Sequence, residues 1–257
     1  MIPKVIHYCW FGRGKQPKLI RDCIKSWKMI MPDYELKCWN EDNFDVTAIP
    51  FVYQAYQERK WAFVADYVRF YALYHEGGIY LDTDIEVFKR LDCFLQHNFF
   101  AGTELRYVNG SPFITVDAST FGSIEGHWYT KKCMEFYHDK PFRDSQGEIS
   151  GGVVQLVATN ELKEYGYIRE NKNQIINNDI YIYDTHFFSN KENYIKGADV
   201  YTIHHFDGSW CDVKNRGLLY KLARKYDLMH IYRKVEHIGL QRYISSAKKL
   251  LFKKNYF

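Results

Sequence analysis

The chain has 257 residues, 46% of them apolar, enough for one large domain or a domain with an appendage. Its six cysteines are scattered with no C-x-x-C pair, which speaks against a disulfide framework and for free thiols in a reducing compartment. The net charge of +4 is uneven: from Gly217 onward ten Lys/Arg face only Asp227 and Glu236, so that segment carries +8 and the remainder −4. A nucleic-acid-binding protein is the different-class alternative, prompted by the basic tail and the 18% aromatic content. A negative body without a basic stripe in its early strands argues against it, so no nucleic-acid partner is expected. The opening "MIPKVIHYCWFG" lacks a charged region followed by a long apolar run, and no window approaches 18 apolar residues. The expected location is the cytoplasm.

In chain order, "KVIHYCWF" reads as a short strand with Pro3 at its head. "KLIRDCIKSWKMI" follows, with Leu19, Ile20, Cys23, Ile24, Trp27 and Ile30 at helical spacing, and Pro32-Asp33 ends it. "YELKCW" resumes as a strand, and this β-loop-α-β opening predicts a parallel sheet flanked by helices. "KWAFVADYVRFYALYHEGG" is a long helix closed by Gly77-Gly78, and "IYLDTDIEVF" is a strand. The middle mixes strand-like pieces ("FFAGTE", "SPFITV") with a helix near Gly126 to His138. "DIYIYDTHFF" and "ADVYTIHHF" are later strands. Beyond residue 216 the text is helical and basic, so residues 1–215 and 216–257 are the expected division.

Two aspartates interrupt the apolar run around residue 80. In an extended segment Asp82 and Asp84 share a side, and two hard oxygen ligands with open positions suit Mn²⁺ or Mg²⁺. The other reading is a strand end whose carboxylates are merely solvated. Upstream, Asp66 and Arg69 lie three apart on an otherwise apolar helix and so share a face. They are either an internal pair that neutralises itself or two groups that meet a polar ligand in a cleft.

"IPKVIHYCWFG", "ADYVRFYALYHEGGIYLDTDIEV" and "HHFDGSW" together resemble the family-32 glycosyltransferases, from residue 2 to about 210. These DXD-containing sugar transferases include bacterial capsule-synthesis enzymes and yeast-type initiating mannosyltransferases. The resemblance implies a GT-A-type Rossmann-like mixed sheet, a nucleotide-sugar donor, Mn²⁺ or Mg²⁺, and retention of anomeric configuration. By that resemblance Asp82 and Asp84 hold the metal on the donor diphosphate. Asp66 and Arg69 bind the donor sugar and support the diphosphate, and with Asp84 they are the expected catalytic residues. Tyr8 and Trp10 line the nucleotide pocket. His204, His205, Ser209 and Trp210 close over the metal and diphosphate, with His205 preferred as the metal-approaching histidine for its closeness to Ser209 and Trp210. The implied acceptor is a glycan or a polyprenyl-pyrophosphate-linked oligosaccharide in capsule or O-antigen synthesis. A uridine diphosphate sugar is the expected donor and GDP-mannose the alternative. A carbohydrate-binding or donor-hydrolysing relative that has lost transfer is a further alternative.

Around "EISGGVVQ" the chain departs from the family, which often has Gly-Pro and a nearby Thr there, so acceptor specificity does not carry across. The tail interleaves apolar and cationic residues at roughly helical spacing. It fits either an amphipathic segment lying peripherally on the inner face of a bacterial plasma membrane or a helical cap with a solvated basic face.

Overall fold

The computed structural model describes residues 1–108, 111–150, 152–190 and 200–206, and all of these except Pro17–Leu19 form one compact unit. The expected basic tail, and the expected domain boundary with it, lies outside the described residues.

The chain begins as predicted. Strand β1 (Val5–Cys9) leads to helix α1 (Lys18–Ile30) and to β2 (Glu35–Trp39), which pairs parallel to β1. Helix α1 turns Ile20, Cys23, Ile24 and Trp27 inward, the spacing that marked it in the sequence. A short helix not foreseen in the sequence, α2 (Pro50–Gln57), starts with proline at its first position, where no backbone donor is lost. Helix α3 (Trp61–Glu76) is apolar nearly all round and buried along its middle, and it stops where Gly77 takes φ +64° and donates to the Leu73 carbonyl at 3.0 Å.

Strand β3 (Gly78–Leu81) then runs parallel to β1, and β4 (Ile85–Val87) follows it in a different sheet. The sequence reading of one continuous strand through "IYLDTDIEVF" is thus corrected. Asp82, Thr83 and Asp84 form a turn, closed by Ile85 N–H donating to the Asp82 carbonyl at 3.0 Å. Apolar residues on both sides hid the break, because the chain leaves one sheet for another without passing through solvent.

A long antiparallel hairpin, β5 (Phe99–Val108) and β6 (Ser111–Ser123), comes next, then α4 (Trp128–Glu135) and α5 (Val154–Lys163). The sequence shows only fragments of this hairpin and does not mark α5. Strands β7 (Gln174–Ile176), β8 (Ile180–Tyr183), β9 (Phe188–Asn190) and β10 (Thr202–His204) complete the unit. The main sheet has the order β2-β1-β3-β6-β5-β8-β7 and mixes parallel with antiparallel pairs, and a small sheet has the order β4-β10-β9. The expected α/β class is therefore present, with a mixed sheet.

Alternation along β3 divides the core. Ile79 and Leu81 join one apolar cluster with Ile20, Ile24, Trp27, Ile85 and Phe188, and Tyr80 joins the other with α3, α4 and α5. The five cysteines among the described residues stand outside any disulfide. No helix among the described residues is long and apolar enough to cross a membrane.

Candidate functional site

Parallel β1 and β3 end at the same edge of the main sheet, which places Tyr8, Cys9 and Trp10 beside Leu81 and Asp82. In open α/β sheets ligands bind outside the carboxyl ends of such strands. The Asp82–Asp84 turn leaves from this edge, and β10 returns antiparallel to β4 with His204 opposite Ile85. His205 N–H donates to the Asp84 carbonyl at 3.1 Å and ties the two segments together.

Asp82, Asp84 and His204 each offer one ligand atom, and those atoms lie within 4.8 Å of one another. His204 Nε2 stands 3.4 Å from Asp84 Oδ1. Burial disfavours the imidazolium, but the carboxylates of Asp84, Asp82 and Asp117 outweigh it and push His204 up to about 9. The histidine that meets the aspartates is thus His204, whereas the sequence reading had preferred His205. Neighbours on a strand point to opposite sides, and His205 turns to Glu86, with Nε2 at 2.8 Å from Oε2. Two carboxylates and an imidazole form a donor set that fits a divalent ion. The nitrogen suits Mn²⁺ better than Mg²⁺, which prefers oxygen throughout.

Behind this turn lies the Asp66–Arg69 pair. Arg69 is 4% and Asp66 7% exposed, and the guanidinium is engaged on all sides. Its Nη2 donates to Asp66 Oδ1 at 2.7 Å, Nη1 to the Ala118 carbonyl at 2.6 Å, and Nε to the Ala65 carbonyl at 3.2 Å. Nη1 also lies 3.2 Å from Asp82 Oδ1, and the plane sits over the Tyr80 ring at 4.8 Å. Tyr80 in turn donates to Asp82 Oδ1 at 3.0 Å. One buried cation therefore serves two carboxylates. Burial pushes Asp66 up to about 7 against the pull of Arg69, with Asp82 adding repulsion. Asp82 is raised by burial as well, with Arg69 opposing.

Of the other predicted residues, Tyr8 packs edge-on against Trp27 with centroids 5.5 Å apart, and burial pushes its phenol up to about 12. Trp10 donates from Nε1 to the Gly14 carbonyl at 2.7 Å. Ser209 and Trp210 lie outside the described residues. Sequence reasoning missed His7, buried beneath the Gly77-Gly78 turn, and Asp117, buried in β6 near the site. His7 sat in a quoted motif, but nothing in the alternation marks a histidine as an anchor. A lone aspartate in a strand-like stretch carries even less signal.

Residues 17–101 match the family model described as the glycosyltransferase sugar-binding region containing DXD motif. The chain is similar to inositol phosphoceramide mannosyltransferase 3 of Schizosaccharomyces pombe, at 34% identity over 100 residues, 37% of this chain and 28% of that protein. Inositol phosphoceramide mannosyltransferase 2 of the same organism matches at 29% over 135 residues, 50% of this chain and 36% of that protein. The matches thus span 28% and 36% of the length of these curated relatives. Among solved structures, the PaToxG glycosyltransferase superposes with a TM-score of 0.47 at 17% identity, covering 63% of this chain and 69% of that one. The galactosyltransferase LgtC, solved with donor and acceptor sugar analogues, does so with a TM-score of 0.41 at 13% identity, covering 83% and 84%.

Proposed function

We propose that this chain, which carries a glycosyltransferase sugar-binding region with its DXD motif, transfers a hexose from a nucleotide-diphosphate sugar to a membrane-borne glycan or lipid-linked acceptor. The observation that carries the reading is the convergence of Asp82, Asp84 and His204 at the sheet's carboxyl edge, backed by Arg69. Asp82, Asp84 and His204 would hold a divalent ion, which when bound supplies Lewis-acid stabilisation to a leaving diphosphate. Arg69 keeps a permanent positive charge behind Asp82, in a site where burial strengthens it. Asp66 accepts hydroxyls of the donor sugar. In a retaining front-face reaction the bond from the anomeric carbon to the diphosphate oxygen breaks. The bond from that carbon to the acceptor oxygen forms on the same face, and the acceptor's proton passes to the departing phosphate.

The sequence reading favours a uridine diphosphate sugar. Both curated relatives are mannosyltransferases by name, which moves the weight toward GDP-mannose. Their named acceptor is a membrane lipid, inositol phosphoceramide, and this supports an acceptor presented at a membrane, here the inner face of a bacterial plasma membrane. The test is a thermal-shift panel of nucleotide sugars with and without Mn²⁺, followed by product analysis. A donor at 100 times its Kd raises native-state stability by about 2.7 kcal/mol. Asp84→Ala should abolish the Mn²⁺-dependent part of that shift. If no donor raises Tm with Mn²⁺, or Asp84→Ala behaves as the parent, the proposal fails.

A further inference from the structure

Strand β6 is interrupted beside the site. Ala101 of β5 faces Phe121 and Thr103 faces Val116, so one residue of β5, Gly102, stands opposite four of β6, Asp117 to Thr120. An excess of three residues makes this a larger, special bulge, and bulges re-aim the groups around them. Its shape comes from one carboxylate. Asp117 Oδ1 accepts from Ser119 N–H at 2.7 Å and from Ser119 Oγ–H at 2.6 Å, closing a turn in which Asp117 is 6% and Ser119 0% exposed.

The turn's two central carbonyls go to the site. Ala118 O accepts from Arg69 Nη1 at 2.6 Å, and Ser119 O accepts from Asp82 N–H at 2.8 Å. Arg69 comes from α3 and Asp82 from the end of β3, so the bulge is where these two elements are set against each other. An ordinary ladder would present alternate carbonyls in opposite in-plane directions. Here consecutive carbonyls both serve the same site.

Resting on the metal-site reading of Asp82 and Asp84, we propose that Asp117 and Ser119 are positioning residues. Their turn fixes Arg69 and the first aspartate of the DXD motif in register, and through them the affinity of the site for a divalent ion. Asp117 acts by accepting hydrogen bonds, so its negative charge is dispensable. Groups that orient metal ligands typically change affinity 10- to 100-fold when removed.

The experiment titrates the full chain with Mn²⁺ and follows the free aquo-ion by electron paramagnetic resonance, with no substrate present. Asp117→Ala is expected to weaken binding roughly 10- to 100-fold. Asp117→Asn keeps an Oδ1 acceptor and is expected within about threefold of the parent, a rescue that a charge role does not allow. Ser119→Ala keeps the carboxylate and the backbone donor but loses the hydroxyl bond, with an expected loss of roughly fivefold. This variant also decides the matter should Asp117→Ala fail to fold. Equal losses in Asp117→Asn and Asp117→Ala would assign the effect to charge near His204 and overturn the proposal, as would parent-like binding by Asp117→Ala or Ser119→Ala. A parent chain that takes up no Mn²⁺ would remove the metal-site reading and this proposal together. Binding lost in Asp84→Ala but intact in the Asp117 and Ser119 variants would remove this proposal alone.

Discussion

Arg69 shows what a single side chain does here. It is a buried cation shared between Asp66 and Asp82, and Nε and Nη1 also donate to the backbone carbonyls of Ala65 and Ala118. Replacing it by Met takes the cation away from Asp66 and weakens the support of Asp82, which keeps the Tyr80 hydroxyl and His204, and removing one partner of a buried ion pair costs about 3–5 kcal/mol. The expected result for Arg69→Met is a lower Tm by a corresponding amount, with transfer abolished. Adding Asp66→Asn should recover part of the stability, because one uncompensated charge disappears, while activity stays lost. Chemical denaturation alongside a transfer assay checks both. Equal instability of the single and double variants would mean that Asp66 is not held by Arg69.

The two adjacent histidines separate in the same way. His205→Ala loses a partly exposed contact with Glu86, so a change of about 1 kcal/mol or less is expected and Mn²⁺ affinity should stay near that of the parent. His204→Ala removes the nitrogen of the candidate metal cluster, and Mn²⁺ calorimetry should show affinity lost. The reverse pattern would restore the residue that the sequence reading preferred.

At the scale of elements, the helix-to-strand turn at Gly77-Gly78 aims β3 and the DXD turn after it. It rests on His7, fully buried, whose Nε2 lies 2.8 Å from the Gly77 carbonyl while Nδ1 accepts from Trp39 Nε1 at 3.0 Å. The neutral imidazole thus satisfies one donor and one acceptor. A second proton would set Nδ1–H against the Trp39 N–H. Burial, the larger cause, holds His7 down at about 4, against the pull of the Gly77 carbonyl. Since the folded value is below the unfolded one, the unfolded chain binds the proton first as pH falls. His7's contribution is complete above about 6.5 and declines toward pH 4, a loss of about 3 kcal/mol over that window. Asp66, held up at about 7, works in the opposite direction in both chains, so the test is the difference: between pH 7 and 4.5 the denaturant midpoint of the parent should drop relative to that of His7→Gln. Gly78→Ala has no tolerable geometry at φ +109°, because its Cβ would stand 2.8 Å from the Val5 carbonyl oxygen. A loss of about 2–4 kcal/mol is expected by calorimetry.

Elements also show what the sequence made legible. Periodicity marked α1 between its actual ends and α3 within a residue, because each has an apolar pattern that its own surroundings explain. The residue types of the candidate metal site were legible as well. The break between β3 and β4 was not, since both flanks are buried and no glycine or proline marks the exit. Nor was the β6 bulge, in which Asp117 bonds two residues ahead inside a strand. The choice between His204 and His205 depends on which face of β10 meets the Asp82–Asp84 turn, a matter of pairing between segments more than a hundred residues apart.

The whole chain adds an electrostatic division that no single element shows. The segment from Gly217 carries +8 and the remainder −4, so their attractions to a negatively charged surface have opposite signs. Each Lys or Arg near an anionic leaflet contributes about 1 kcal/mol, within a Debye length of the surface. If half of the ten approached the lipid, they would outweigh the two acidic residues enough for reversible attachment, with the interleaved apolar residues adding to it. With a lipid-linked acceptor, such attachment would raise the local concentration of the protein where the acceptor lies. The full chain is therefore expected to sediment with phosphatidylserine-containing vesicles at low ionic strength. It should dissociate as salt rises toward a few hundred millimolar and ignore vesicles of phosphatidylcholine alone. Removing residues 217–257 should abolish sedimentation while leaving Mn²⁺-dependent donor binding in place. Sedimentation unchanged by the deletion would place the membrane contact elsewhere. Loss of donor binding on deletion would instead tie the basic segment to the sugar-transfer site.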